Sequence, residues 1–295
     1  MATSVWIDSD VSIGSPIREV DDAYALVLAL HSPEIRIVGV STTYGNAPLG
    51  HTTRVAQDMV RRFGAPAGLS ITKVYSGARS ASDLGRPTEA SNALAAALEK
   101  GRMTYIALGP LTNLATFLQL HPKLASRIDR VIFLGGQSPG TSLGLRPNGS
   151  FRIHDANVFK DPAATAIVLR SSIPLTAIPV STASKLLVHA ADLRALEKSG
   201  EAGNYLSRRS RIWLWFWRNI VQTKGGAVFD TLAIIAATKP ELLATEKRYG
   251  RMDEKRNLLV TARPTNGRPI RYCIGFGSET KQFVIRRIMT PRSRD

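Results

Sequence analysis

The sequence predicts a doubly wound α/β fold, in which helices cover both faces of a mostly parallel sheet. Two observations lead to this class. Apolar runs of strand length alternate with longer amphipathic runs along most of the chain, which is the pattern of βαβ units. The chain has 295 residues, 44% of them hydrophobic, without a change in composition that would mark a linker. We therefore expect a single domain over residues 1–295 with a substantial core.

Each strand of the predicted sheet precedes a helix. The strands are short apolar runs, and the helices carry apolar residues at helical spacing. In chain order, the predicted pairs are Val5–Ile7 with Ala23–Leu30, Ile35–Thr43 with His51–Phe63, Thr104–Leu108 with Leu111–Leu120, Arg130–Leu134 with Pro162–Leu169, and Leu175–Val180 with Ala191–Lys198.

The end of the chain has a different pattern. Strand-like residues flank Asn266-Gly267, a dipeptide that favours the tight turn of a β-hairpin. A final helix is predicted from Glu279 to Met289. Upstream, the tryptophan-rich segment Ile212–Trp217 is predicted as a helix, and we favour packing on the core or a subunit interface over contact with a ligand.

Composition excludes several classes of protein. The only cysteine, Cys273, rules out an intramolecular disulfide framework and a cysteine-rich zinc site. The first residues form a strand rather than a basic leader and a long apolar segment. We therefore expect neither a signal peptide nor a membrane span, and a cytoplasmic location.

The net charge of +16 is unevenly distributed. Residues 1–100 hold 9 Lys and Arg against 10 Asp and Glu, so the surplus lies in the remainder. A basic surface attracts nucleic acid or phosphorylated ligands, but it is also a common solvated surface. Without an RNA-binding motif we do not expect a nucleic-acid partner. Such contacts would involve Ser207–Arg211 or the tail Ile285–Arg294.

Two pairs of aspartates near the start of the chain form the strongest candidate site. Asp8 and Asp10 end the first strand, and Asp21 and Asp22 begin the first helix, where the helix dipole favours anions. The loop between them brings both pairs to the carboxyl end of the strand, where such sheets bind ligands. An oxygen-only set suits Ca²⁺ or Mg²⁺ better than zinc. The alternative is a helix N-cap with solvated neighbours.

Polar groups also follow other predicted strands, at the same carboxyl edge of the sheet. Asn46 follows the second strand, and Leu108-Gly-Pro110 and Gly135-Gly136 follow two later strands. Backbone carbonyls at such glycine-containing turns are neutral ligands for a hard cation.

Over most of its length the chain resembles the inosine-uridine type nucleoside hydrolases, which cleave the N-glycosidic bond of ribonucleosides with water. The resemblance implies a doubly wound, Rossmann-like fold, bound Ca²⁺, and a homodimer or homotetramer. The motifs that carry it are Asp8-x-Asp10, Asp21-Asp22-Ala23, Thr42-Thr-Tyr-Gly-Asn46, Leu108-Gly-Pro-Leu-Thr-Asn113, Phe133-Leu-Gly-Gly136, Asn157-Val-Phe-Lys-Asp-Pro162 and Phe229-Asp230.

The resemblance also implies roles for individual residues. Side chains of Asp10, Asp22 and Asp230 and the backbone carbonyl of Leu108 would bind calcium. Asp21 would be the general base for the attacking water, supported by Asp8. Ribose hydroxyls would be held by Asn46 and Asn157, while Asp155 stands where the family commonly has a sugar-binding glutamate; Asn157 and Asp230 could instead be ordinary helix-terminal residues.

The sequence departs from the family pattern in three places. The loop from Asp10 to Asp21 is seven residues longer, and its Arg18 and Glu19 either enter the pocket or pair with each other on the surface. Phe229 replaces the histidine of pyrimidine-tolerant members and could stack on a base together with Trp213, Trp215 or Trp217. Ser80–Ala90 lacks a histidine-glycine pair that is often found there.

The sequence thus predicts calcium-dependent hydrolysis of ribonucleosides, with purine nucleosides slightly favoured. One alternative is hydrolysis of a modified or phosphorylated riboside, suggested by the longer loop and the basic surplus. Another is a non-catalytic ribose- or nucleotide-binding protein with a basic surface that faces nucleic acid.

Overall fold

The structure is a computed structural model that describes residues 2–14, 18–64, 73–140, 143–146, 148–153, 155–255, 257–264 and 266–291. Its strands are β1 (Thr3–Ser9), β2 (Ile35–Thr42), β3 (Val74–Ser76), β4 (Met103–Ala107), β5 (Ile128–Leu134), β6 (Leu143–Gly144), β7 (Arg152–Ile153), β8 (Leu175–Ile178), β9 (Leu187–Val188), β10 (Gly226–Ala227), β11 (Leu243–Met252), β12 (Leu258–Thr261) and β13 (Arg268–Phe276). Its α-helices are α1 (Asp21–Leu30), α2 (Leu49–Phe63), α3 (Glu89–Lys100), α4 (Thr112–Leu120), α5 (Ala156–Lys160), α6 (Pro162–Arg170), α7 (Val180–Ala183), α8 (Ala190–Glu197), α9 (Glu201–Asn219), α10 (Thr231–Thr238) and α11 (Thr280–Met289).

The main sheet confirms the predicted doubly wound class. Nine strands lie in the order β12-β11-β13-β8-β5-β4-β1-β2-β3, and all neighbours from β13 to β3 run parallel. From β1 the chain adds β2 and β3 on one side, and then β4, β5 and β8 on the other. This reversal places a switch point between β1 and β4, where open α/β sheets bind ligands beyond the carboxyl ends of the strands.

The hairpin predicted at Asn266-Gly267 is wrong. The strands on either side of it, β12 and β13, both pair antiparallel with β11 and so lie on opposite sides of it. The connection over residues 262–267 is long enough to cross the intervening strand, a distance of about 10 Å. A turn-forming dipeptide reports a local change of direction and does not reveal a strand that lies between its neighbours.

The core lies on both faces of the sheet. Alternate residues of β1 enter different apolar clusters, since Val5 and Ile7 pack on one face and Trp6 on the other. Helices α1, α2, α10 and α11 contribute to the first cluster, and α3, α4 and α6 to the second. Burial of each large apolar side chain contributes about 1.5–3 kcal/mol. Within the described residues, no helix has the length and apolar content needed to cross a lipid bilayer.

A glycine makes room for the largest of these core side chains. Gly39 of β2 pairs with Trp6 of β1 at the point where the register between the two strands shifts. A Cβ atom at Gly39 would lie 2.2 Å from Cζ3 of the Trp6 ring, which is 1% exposed. The indole cannot move away easily, because it also donates a 2.8 Å hydrogen bond to Ser41 Oγ and stacks on Tyr75.

We therefore expect Gly39→Ala to lower the free energy of unfolding by about 1–3 kcal/mol through overpacking. Chemical denaturation followed by tryptophan fluorescence measures the loss. Gly101→Ala is the matched control, since its backbone is extended and a Cβ there meets nothing within 4 Å. Equal stability of the two variants would contradict the proposed tight packing.

Candidate active site

Buried carboxylates meet beyond the end of β1. Asp10 follows the strand, Asp21 and Asp22 form the first turn of α1, and Asp230 directly precedes α10. We call these four residues the carboxylate cluster; each is at most 5% exposed. Asp21, Asp22 and Asp230 each place one oxygen within 4.8 Å of the other two, an arrangement that could hold a metal ion.

Asn46 links two members of the cluster. Its backbone N–H donates to Asp10 Oδ2 at 2.7 Å, and its side-chain amide donates to Asp22 Oδ2 at 2.9 Å. The other oxygen of Asp22 accepts from Ser9 Oγ at 2.6 Å and from the Asp10 N–H at 3.2 Å. Lys160 Nζ lies 3.8 Å from Asp10 Oδ2. These donors fix the orientation of Asp10 and Asp22.

The remaining oxygens are less well satisfied. Asp10 Oδ1 and Asp21 Oδ1 are buried without a hydrogen-bond partner in the part of the chain that the structure describes. Burial, followed by repulsion from Asp22, raises the pKa of Asp10 and Asp21 well above the usual range. Burial and then repulsion from Asp21 and Asp22 do the same to the pKa of Asp230. An all-oxygen cluster with unpaired atoms fits a hard divalent cation, which would offset the repulsion.

The carbonyl of Leu108 lies beside this cluster, just beyond β4. It accepts a 2.7 Å hydrogen bond from the side-chain amide of Asn157. Asn157 does not cap α6, because Asp161 does so by accepting from the Ala164 N–H at 2.9 Å. Asp230 occupies the N-cap position of α10 but makes no side-chain capping bond. Asp230 thus stands at a helix terminus, as the alternative from the sequence had it, but its side chain does not cap the helix.

Asp8, near the end of β1, is fixed by hydrogen bonds to neighbouring elements. Its Oδ1 accepts from Ser41 Oγ at 2.6 Å and from Asn113 Nδ2 at 2.8 Å, and burial raises its pKa to about 6. Among the described residues no hydrogen bond joins it to Asp21. Asn113 was not assigned a role from the sequence, although it ends the motif that begins at Leu108. It also donates to the Thr42 carbonyl and accepts from the Ala78 N–H.

Asp155, for which the resemblance implies a sugar-binding role, is bonded to the backbone through both of its oxygens. Its Oδ2 accepts from the Gly136 N–H at 2.6 Å, and its Oδ1 accepts from the Val158 N–H at 3.4 Å, which caps α5. Burial raises the pKa of Asp155 to about 6. The structure thus brings Asp155 to the cavity wall with both oxygens engaged.

A cavity of about 180 Å³ opens onto the cluster. Phe229 and Trp217 both line it, with ring centroids 5.9 Å apart, whereas Trp215 is 57% exposed and does not line it. A larger groove of about 930 Å³ between α2 and α9 contains no cluster residue. The cavity lining is Glu19, Asp21, Asn46, Leu108, Leu134, Ile153, Asp155, Ala156, Asn157, Val180, Trp217, Phe229 and Asp230.

The longer first loop contributes Glu19 to this lining. Arg18 and Glu19 do not pair with each other, since Arg18 Nη1 donates to the Asn46 carbonyl and Glu19 Oε2 accepts from Trp213 Nε1 at 2.8 Å. The sequence raised entry of this loop into the pocket as one possibility, and for Glu19 that possibility is correct. Residues 15–17 of the loop lie outside the described residues.

The fold and the site define an α/β protein with a polar cavity at the sheet switch point and carboxylates that could hold a metal ion. The model of the family described as inosine-uridine preferring nucleoside hydrolase matches residues 5–283, and the chain belongs to this family. It is therefore an N-glycosidase of the nucleoside hydrolase class, as the sequence predicted.

Known relatives extend across most of the chain. A probable uridine nucleosidase of Arabidopsis thaliana is 27% identical over 275 residues, covering 84% of this chain and 81% of the relative. A pyrimidine-specific ribonucleoside hydrolase of Salmonella typhimurium is 28% identical over 258 residues, covering 78% and 79%. Among solved structures, a plant nucleoside hydrolase has a TM-score of 0.80 with 22% identity over 100% of both chains. A purine-preferring ribonucleoside hydrolase from Gardnerella vaginalis has a TM-score of 0.79 with 21% identity over 98% of both.

Removal of one cluster charge tests whether the site holds a cation. At a Ca²⁺ concentration about 100 times Kd, bound metal should stabilise the wild type by about 2.7 kcal/mol. We expect Asp230→Asn to lose most of this stabilisation while its metal-free form is at least as stable as the wild type, because repulsion is relieved. Thermal unfolding with Ca²⁺ and with chelator measures both effects.

Asp129→Asn is the control for this experiment, since Asp129 lies exposed at the opposite end of β5 in an ion pair with Arg102. It should retain the full effect of Ca²⁺. A wild type that unfolds identically with Ca²⁺ and with chelator would contradict a calcium site in the cluster.

Proposed function

We propose that this protein is a calcium-dependent nucleoside N-ribohydrolase that converts ribonucleosides to ribose and free base, with purine nucleosides slightly favoured. The observation that supports the proposal is the carboxylate cluster, two members of which, Asp21 and Asp230, line a cavity of about 180 Å³. Asp10, Asp22, Asp230 and the Leu108 carbonyl would hold Ca²⁺. When bound, the ion supplies a positive charge that orients the ribose diol and acidifies water.

Asp21 is the proposed general base. It lines the cavity, and its Oδ1 has no hydrogen-bond partner among the described residues, so this oxygen is available to accept a proton from water. Asp22 is unsuited to this role, because hydrogen bonds from Ser9, Asp10 and Asn46 already occupy both of its oxygens. Proton transfer to Asp21 raises the nucleophilicity of the water that attacks C1′ of the sugar.

The sugar carries positive charge as the C1′–N bond stretches. Surrounding carboxylates stabilise such a charge, because they are oriented before the reaction begins. Asn46 and Asn157 line the cavity with amides that are fixed by hydrogen bonds to Asp22 and the Leu108 carbonyl. These amides are the proposed partners of the ribose hydroxyls, and Asp155 is proposed to act on the sugar through a water because its own oxygens are engaged.

The aromatic end of the cavity supports the slight preference for purines. Phe229 packs against Trp217, and both rings line the cavity. A larger base offers more surface for stacking on such rings. The Arabidopsis and Salmonella relatives are named for uridine and pyrimidine nucleosides, whereas the Gardnerella structure is named as purine-preferring. The preference is therefore proposed from the cavity and not from the relatives.

A second candidate substrate is a phosphorylated riboside. Arg18 binds the Asn46 carbonyl beside the cavity, and Lys160 lies 3.8 Å from Asp10. Both cations are therefore close enough to the site to attract an anionic substituent on the sugar. Faster hydrolysis of nucleosides than of their 5′-phosphates would exclude this candidate.

The proposed reaction predicts chelator-sensitive release of ribose that depends on Asp21. Loss of a general base typically lowers the rate about 100- to 10,000-fold, and we expect this loss of kcat for Asp21→Asn. A reducing-sugar assay over purine and pyrimidine nucleosides and their 5′-phosphates measures it. Asp129→Asn should retain wild-type activity, and an Asp21→Asn variant as active as this control would refute the assignment.

Phe229 is predicted to affect purine substrates more than pyrimidine substrates. Base stacking on an aromatic side chain contributes about 1–3 kcal/mol, so Phe229→Leu should lower kcat/KM for inosine about 10-fold and for uridine by less. Trp215→Leu is the control, because the Trp215 ring is 57% exposed and does not line the cavity. An equal decrease for inosine and uridine in Phe229→Leu would contradict a role in base preference.

A further inference from the structure

The cavity contains one carboxyl group to which the proposed reaction assigns no role. Glu19 lies in the longer first loop and lines the cavity together with Asp21, Trp217 and Phe229. Burial, followed by repulsion from Asp22, raises its pKa to about 7. No ion pair joins Glu19 to a Lys or Arg in the described part of the chain. Burial of a carboxylate without a paired cation costs folding free energy, and this cost needs an explanation.

Two contacts hold Glu19 in place. Its Oε2 accepts the 2.8 Å hydrogen bond from Trp213 Nε1, and its backbone carbonyl accepts from Ser12 Oγ at 3.2 Å. Trp213 is itself fixed, since it is 2% exposed and lies against Gly226, where a Cβ would be 2.2 Å from the ring. Glu19 is therefore attached to α9 and is not a freely moving loop side chain.

Only one of the two Glu19 oxygens is used by this hydrogen bond. The Trp217 indole also favours the charged form of Glu19, but within the described residues its Nε1 makes no hydrogen bond of normal geometry. In that part of the chain no hydrogen bond of normal geometry reaches Glu19 Oε1 either, so this oxygen can accept one from a molecule in the cavity. The ionised form of the carboxyl group, which the Trp213 N–H favours, accepts hydrogen bonds and does not donate them.

The position of Glu19 indicates which part of a substrate it would contact. Glu19 lines the same cavity as Asp21 and Asp230 and is close enough to Trp217 to interact with its indole, and the Trp217 ring lies 5.9 Å from the Phe229 ring. On the proposed function, a base that stacks on these rings lies within reach of Glu19. The common nucleobases all carry at least one N–H group on their edge when they are part of a nucleoside.

We propose that Glu19 is a specificity-determining residue that accepts a hydrogen bond from an N–H group of the nucleobase. This inference rests on the proposed function and extends it to the base. Sites built to bond a substrate N–H discriminate strongly against an analogue that lacks it, because the buried acceptor is then left unpaired. Glu19 thus selects bases by their hydrogen-bonding edge, while Phe229 and Trp217 contact their faces.

The test compares nucleosides in which one N–H donor is removed or methylated: adenosine with purine riboside, which lacks the amino group, inosine with 1-methylinosine, and uridine with 3-methyluridine. For the pair that contains the best substrate, the wild type should prefer the donor. Glu19→Ala should reduce this preference in kcat/KM about 10- to 100-fold, the effect of one hydrogen bond to a charged group. Glu19→Gln keeps an acceptor oxygen and should retain part of the preference.

A purely structural role for Glu19 predicts a different result. Glu19→Ala would then lower kcat/KM equally for both members of every pair, and that outcome overturns the inference. Glu201→Gln is the matched control, because Glu201 is an exposed residue of α9 paired with Arg62. The Glu201→Gln variant should have the same kcat/KM as the wild type for each of the six nucleosides.

A binding measurement separates failure of this inference from failure of the proposed function. If the wild type hydrolyses none of the six nucleosides, the proposed function fails, and titration with adenine, hypoxanthine, uracil and their N-methylated forms then decides the role of Glu19. Quenching of tryptophan fluorescence reports binding near Trp213 and Trp217. Tighter binding of an unmethylated base that is lost in Glu19→Ala supports the inference, whereas equal binding to both proteins, or none, overturns it.

Discussion

Repulsion between buried carboxylates is the constraint on which this site depends. Two like charges about 5 Å apart interact by about 3 kcal/mol at an effective dielectric constant of 20, and Asp21, Asp22 and Asp230 each place one oxygen within 4.8 Å of the other two. The protein can maintain this arrangement only if protons or a cation offset the charge. Accordingly, donors from Ser9 and Asn46 surround Asp22, while oxygens of Asp10 and Asp21 remain unpaired.

The parallel sheet supplies the rigidity that opposes this repulsion. Asp8 and Asp10 extend from a strand that is hydrogen bonded on both sides, and Asn113 connects the end of β1 to the ends of β2 and β3 through three hydrogen bonds. Close approach of the backbone is also required, since a Cβ at Gly45 would lie 1.7 Å from Asp10 Oδ2. The residues around the cluster are thus selected by steric fit as well as by charge.

The cavity is lined by two kinds of side chain. Carboxylates and amides provide a polar surface suited to a sugar and a cation, whereas Phe229 and Trp217 provide an aromatic surface suited to a planar base. Glu19 and Trp213 join the longer first loop to α9 beside this aromatic surface. Because Glu19 lies in this loop, the additional loop residues change the lining of the cavity beside Trp217.

Several features of the protein follow from local sequence patterns alone. Strand and helix periodicity determined the doubly wound class, and the positions of Asp8, Asp10, Asp21 and Asp22 at strand and helix ends indicated where the chemistry lies. These features could be predicted because parallel strands deliver their carboxyl ends to one edge of the sheet. The place of Asp230 in the cluster came from the family resemblance, since no local pattern connects it with the first loop.

Only the tertiary structure decided the remaining features. The order of β11, β12 and β13 depends on which strands pair, and the three contacts of Asn113 and the bond from Trp213 to Glu19 join residues far apart in the sequence. Short patterns carry no information on such contacts, because their formation depends on how whole elements pack. The sequence by itself therefore determined the fold class and the acidic site, while packing determined which side chains line the cavity beside it.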